Sequence, residues 1–206
     1  MREPIGLRER KKRETRIALS AATIRLGVER GWANVTIEDI AAAADVSVRT
    51  FRNYFSSKAE AVASRHVARM EQVAAELRRR PSEEPLWEAI SAAVRDRFAL
   101  GADTDADAPG DRRWAEGIRR ILAEPAVQAA VLAASATAQH ALAAAIAERT
   151  GTDAVEDLYP KLVAGAVGAA CSVAIEHGLS TDPPLAVLPL LDDALEQLAA
   201  GLPVPK

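Results

Sequence analysis

Thr36-Ile-Glu-Asp-Ile-Ala-Ala-Ala-Ala-Asp-Val-Ser-Val-Arg-Thr-Phe-Arg-Asn-Tyr-Phe-Ser-Ser-Lys58 parses into two short helices with a tight turn between them. Thr36 is an N-cap residue, and Asp39, three positions on, is a short version of the capping-box acid. Ile37, Ile40, Ala41 and Ala44 then recur at helical spacing. Asp45-Val46-Ser47 reads as the turn, with Ser47 capping a third helix from Val48 to about Phe55 that carries Phe51 and Phe55 on one face. Small Ala residues sit where the two helices must pack closely, so the segment is a helix-turn-helix.

The chemistry on this third helix points to DNA. An α-helix fits the major groove of B-DNA, where its first residues reach base edges. Arg49 and Arg52 can each bond a guanine edge in bidentate fashion, and Asn53 can do the same for adenine. Ser47, Thr50 and Tyr54 carry hydroxyls suited to phosphate oxygens, which hold register without reading sequence. Lys58 stands at a helix N-terminus, where its charge and free backbone N–H groups both favour phosphate. Thr36 and Val48, at the helix starts, complete the expected DNA-facing set.

Upstream, a first helix is predicted from Leu7 to Arg30, with an apolar stripe at Ile17, Ala21, Ile24 and Val28 and a stop at Gly31. Trp32-Ala33-Asn34-Val35 then delivers two apolar anchors to the core. The run Arg8, Arg10, Lys11, Lys12, Arg13 and Arg16 reads either as a solvated helix face or as an arm that neutralises phosphates. Residues 1–80 carry a net charge of +7 and residues 81–206 a net of −10, hidden behind the overall −3. A basic front on an acidic rear suits a nucleic-acid-binding head joined to a body that does not bind nucleic acid.

Downstream, helices are predicted over Lys58 to about Arg80, Glu84–Leu100, Arg112–Ala123, Pro125 to near Gly151, Val155–Glu176 with Gly178 just beyond, and Leu185–Ala200. Gly101 to Asp111 reads as a mobile acidic loop. With 49% apolar residues but only 4% aromatics in 206 residues, and much of the apolar share alanine, the composition is that of an all-α protein. The single cysteine, Cys171, excludes an intramolecular disulfide, suits the cytoplasm and reads as a buried apolar residue. His66, His140 and His177 lie far apart and give no metal-ligand spacing, so neither metal nor cofactor is expected. The charged N-terminus has no secretory pattern. Ala126–Ala147 is uncharged but alanine-rich, and is read as a helix buried in a bundle rather than a membrane span. No nucleophile elbow, zinc-protease motif or phosphate loop is present, so no enzyme is expected.

Thr36, Ile40-Ala41, Ala44, Val46-Ser47, Thr50, Tyr54-Phe55 and Lys58 resemble, in identity and spacing, the signature of the TetR family of bacterial regulators. Asp45 stands where the family usually has a turn glycine, and Arg52 where it often has an aromatic. The resemblance implies a three-helix DNA-binding domain (1–57) followed by a six-helix ligand-binding and dimerisation bundle (58–206). It also implies a homodimer built by the last two helices on a palindromic double-stranded operator, with repression relieved by a small-molecule effector. The small residues Gly165, Gly168, Ala169 and Ala170 permit close helix approach, whether by a partner copy or within the chain. Ile121-Leu-Ala-Glu-Pro125 and Leu190-Leu-Asp-Asp-Ala-Leu195 make the rear half similar to regulators of the mycofactocin system, which implies an acyl thioester or another apolar ligand. Trp87, Phe98, Trp114 and His140, with Tyr159, are candidates for lining its cavity, and core packing is the alternative for each. A ligand-independent DNA-binding or interaction protein is the competing function.

Overall fold

The computed structural model describes residues 6–99 and 112–203. Among the described residues there are nine α-helices, a short 3-10 turn and no strand: α1 (Leu7–Arg30), the 3-10 turn (Trp32–Asn34), α2 (Ile37–Ala43), α3 (Val48–Tyr54), α4 (Lys58–Leu77), α5 (Leu86–Ala99), α6 (Arg112–Ala123), α7 (Pro125–Thr150), α8 (Leu158–Ser180) and α9 (Val187–Ala199). The all-α expectation holds, helix by helix. The acidic stretch 101–111 lies outside the described residues.

Three apolar cores organise the described residues. The first belongs to the head: Leu19, Ala22 and Leu26 of α1 close over Val35, Ile40, Phe51, Phe55 and Ala61. The third and largest lies in the rear, where Met70, Val73 and Leu77 of α4 meet Ile90 and Val94 of α5, Leu142 and Ile146 of α7, Val163 and Val167 of α8, and Leu191 and Leu195 of α9. Between them a small junction core gathers Ile24, Ala59, Val62, Ile121 and Val127. Helix α4 runs through all three, so head and rear share one rigid rod.

The stripe expected on α1 is corrected. Ile17 is half exposed and Ala21 is exposed. Wedged between the head and α6, α1 buries two adjoining faces, through Leu19, Ala22 and Leu26 on one side and Ile24 and Val28 on the other. Ser20 lies between them and donates to the Ala61 carbonyl of α4 at 2.7 Å.

Helix α8 runs past its expected end, and Gly178 is inside it. A Cβ there would stand 3.1 Å from Leu190 Cδ1 and 3.2 Å from the Leu185 carbonyl, so this glycine admits the turn into α9 rather than capping a helix. Helix α7 is buried only in part. Its later turns (Ala138, Leu142, Ile146) enter the rear core, while Leu132, Ala133, Ala136 and Gln139 are exposed. By length and composition α7 and α8 could each cross a membrane, yet both contribute side chains to the same packed core.

Candidate DNA interface and rear cavity

Local hydrogen bonds build the helix-turn-helix. The Thr36 hydroxyl accepts from the Asp39 N–H at 3.1 Å, and the Asp39 carboxylate accepts from the Thr36 N–H at 2.9 Å and its hydroxyl at 2.6 Å. This is a full capping box, although aspartate is one methylene shorter than the usual glutamate. Bonds from Thr36 hold the Asp39 carboxyl below its ordinary range, and Arg30, 3.3 Å away, adds to the effect. The turn places Asp45 at φ +53, in the left-handed region. Ser47 then caps α3 by accepting from the Thr50 N–H at 3.0 Å.

Phe51 and Phe55 anchor α3 from below, with ring centroids 5.7 Å apart and the Arg16 guanidinium 5.4 Å from the Phe55 ring. The opposite face is left free. Arg49, Arg52 and Asn53 are exposed and make no side-chain hydrogen bond or ion pair among the described residues. Thr50 and Tyr54 are half-buried beside them. An open groove joins this helix to the start of α1, lined by Arg8, Lys11, Lys12 and Thr15 on one side and Thr50, Asn53 and Tyr54 on the other. The basic run thus lies alongside α3. Its spacing of three, one and three residues already put these four side chains on one helix face.

Lys58 is placed differently from expectation. Its ammonium turns inward, donating to the Trp32 and Val35 carbonyls, the latter at 2.9 Å, and sitting 4.4 Å from the Trp32 ring centroid. Burial lowers its pKa, with Glu124 opposing. The Trp32 carbonyl otherwise receives only the long bond from the Val35 N–H at 3.4 Å that closes the 3-10 turn, and Lys58 adds a charged donor to it. The first N–H groups of α4 are met by Ser57, which accepts from the Glu60 N–H at 3.1 Å.

In the rear, a cavity of about 190 Å³ opens between α4, α7 and α8. Met70, Ala138, Leu142 and Ala164 form its floor, and His66, Ser135, Gln139 and Ser172 supply its polar atoms. None of the five cavity candidates from the sequence lines it, and Tyr159 is exposed. Trp87 packs on the rear core, and Phe98 lies in that core with the Arg69 guanidinium 4.3 Å from its ring. Trp114 packs at the junction core, and His140 is exposed with Nδ1 2.6 Å from the Ala136 carbonyl. Size drew attention to the aromatics, but large rings fill cores. The available signal was instead Ser135 and Gln139 four apart in the uncharged stretch Ala126–Ala147. Cys171 is buried, and burial pushes its thiol up to about 12.

Comparison with known proteins agrees with this geometry. The profile of bacterial regulatory proteins of the tetR family matches residues 19–63, and that of the MftR C-terminal domain matches residues 84–203. The HTH-type transcriptional regulator TcmR of Streptomyces glaucescens is 32% identical over 201 residues, covering 96% of this chain and 88% of TcmR. Two solved structures share the fold. FadR of Thermus thermophilus, a TetR-family repressor in complex with lauroyl-CoA, superimposes with a TM-score of 0.55 at 20% identity, over 93% of this chain and 96% of its own. The fatty acid degradation regulator FadR of Bacillus halodurans does so with a TM-score of 0.58 at 14% identity, over 98% and 100%.

A helix-turn-helix head on an all-helical body, matched at both ends, defines a DNA-binding transcriptional regulator. The chain belongs to the TetR family.

Proposed function

We propose that this chain is a dimeric repressor that grips a palindromic operator through two copies of α3 and releases it when a small, largely apolar ligand enters the rear body. The observation that carries the reading is the free outer face of α3. Arg49, Arg52 and Asn53 stand in solvent on a helix whose start is capped by Ser47 and whose inner face is pinned by two phenylalanines. Residues 1–57 serve as the reading head and 58–206 as the regulatory body, with α4 continuous between their cores. Arg8, Lys11 and Lys12 add phosphate contacts beside α3, which steepens the salt dependence of binding.

The dimer rests on α8. Leu158, Leu162 and Val173 are 74%, 62% and 63% exposed on one side of it, an apolar face left open among the described residues. A two-fold pair would set the recognition helices roughly 34–36 Å apart, one turn of DNA.

The test is selection of genomic fragments by the purified protein, followed by titration of the enriched fragment at two salt concentrations. The expected outcome is an inverted repeat bound by two protomers. Arg49→Ala should then weaken specific binding by about 1–3 kcal/mol and relax preference at one base pair per half-site. Equal losses on unrelated DNA would remove Arg49 from the readout.

A further inference from the structure

The cavity between α4, α7 and α8 has an unusual wall. Gly165 and Gly168 of α8 both border it, and a Cβ built on either would meet nothing within 4 Å. Glycine inside a helix costs about 1 kcal/mol relative to alanine. Here alanine would fit twice, and neither residue has a positive φ. Two glycines that relieve no clash keep a space open.

The lining is uncharged throughout. A carboxylate or phosphate seated among these residues would give up water without meeting a cation in the lining, which disfavours it. Its polar atoms can both accept and donate, the Gln139 amide offering each role. The Ser135 hydroxyl donates to the Val131 carbonyl at 2.9 Å and the Ser172 hydroxyl to the Gly168 carbonyl at 3.1 Å, which leaves the lone pairs of both. Burial and the Arg69 charge favour the neutral form of His66, which has an accepting nitrogen. In size, the space is comparable with cavities of roughly 150 Å³ that admit benzene.

We propose that this cavity takes an uncharged ligand with a hydroxyl or N–H donor on an apolar body of one or two rings, held by His66, Ser135, Gln139 and Ser172. The inference rests on the regulator reading and names the ligand class for it. An acyl thioester's charged carrier finds no partner in this lining. The cavity is also well placed to signal. His66 and Met70 lie on α4, which enters the head, and Ser135 lies on α7, which continues from α6 where that helix crosses α1.

The experiment uses the full chain and calorimetric titration with matched sets of probes: phenol, anisole and benzoate, then 2-naphthol, 2-methoxynaphthalene and 2-naphthoate. The expected result is binding of a phenolic probe at least tenfold tighter than its methyl ether and its carboxylate. Gly168→Leu, which fills the space without a clash at Cβ, should weaken it at least tenfold while light scattering shows an unchanged mass. Equal or tighter binding of the carboxylates, an affinity indifferent to Gly168→Leu, or no binding at all would overturn the proposal. So would a fall in mass with Gly168→Leu, because the glycines would then serve a partner helix. Operator selection by the same preparation separates the two readings: failure of the probes with the operator still bound sinks only the ligand class.

Discussion

Asp45 and Lys58 show how single residues set the geometry of the head. Left-handed backbone is costly for residues with a Cβ, and aspartate is among those that tolerate it best. Asp45→Gly should therefore raise stability by only about 0.5–1 kcal/mol, read as a higher urea midpoint. An unchanged midpoint would mean that the aspartate side chain offsets its own strain. Lys58 ties two connector carbonyls and the Trp32 ring to the start of α4. Lys58→Ala should cost about 1–3 kcal/mol in unfolding experiments, because two acceptors lose a charged donor. Its effect on DNA binding should leave the salt slope intact. A slope shallower by about one would instead identify Lys58 as a phosphate contact.

At the scale of elements, the crossing of α1 and α6 is set by two glycines. A Cβ on Gly27 would lie 2.9 Å from Ile121 Cδ1, the tip of a flexible side chain that can swing away. A Cβ on Gly117 would lie 2.7 Å and 3.0 Å from the two γ-carbons of Val28, which is stiff at χ1. Alanine gains about 1 kcal/mol of helix propensity at either site, whereas overpacking costs about 1–3 kcal/mol. Gly27→Ala should accordingly leave the melting temperature level or raise it, and Gly117→Ala should lower it. The reverse order in a melting series would show that α6 slides along α1 to make room. Cap chemistry at this scale was readable from sequence, since each cap bonds groups only three or four residues apart. Which glycines meet another helix was not. Gly165 and Gly168 of α8 looked like the close approach, but among the described residues it falls at Gly27, Gly117 and Gly178.

Across the whole molecule, the proposed function divides the labour between the basic head, for DNA, and the apolar face of α8, for a second copy. Placing a charge on that face by Leu162→Glu would require burying it at the proposed interface, which costs far more than any surface change. Sedimentation should show monomers at concentrations where the parent protein is dimeric, with operator affinity reduced and the melting of the single chain little altered. Persistence of the dimer would locate the interface elsewhere. The charge asymmetry itself was visible in the sequence, and the structure adds that Arg8, Lys11 and Lys12 flank α3.

The sequence alone determined the all-α class, the helix-turn-helix and its caps, and the bounds of most helices, because these depend on interactions between near neighbours. It also marked Arg49, Arg52 and Asn53 as exposed on one face of a helix of known phase, which is all that their proposed role requires. Tertiary structure decided the rest. The inward turn of Lys58, the two buried faces of α1, the partial exposure of α7 and the cavity beneath Gly165 and Gly168 all depend on which distant helix lies opposite. Helical periodicity places side chains around an axis, but only the packed neighbours decide which of those directions is core, cavity or solvent.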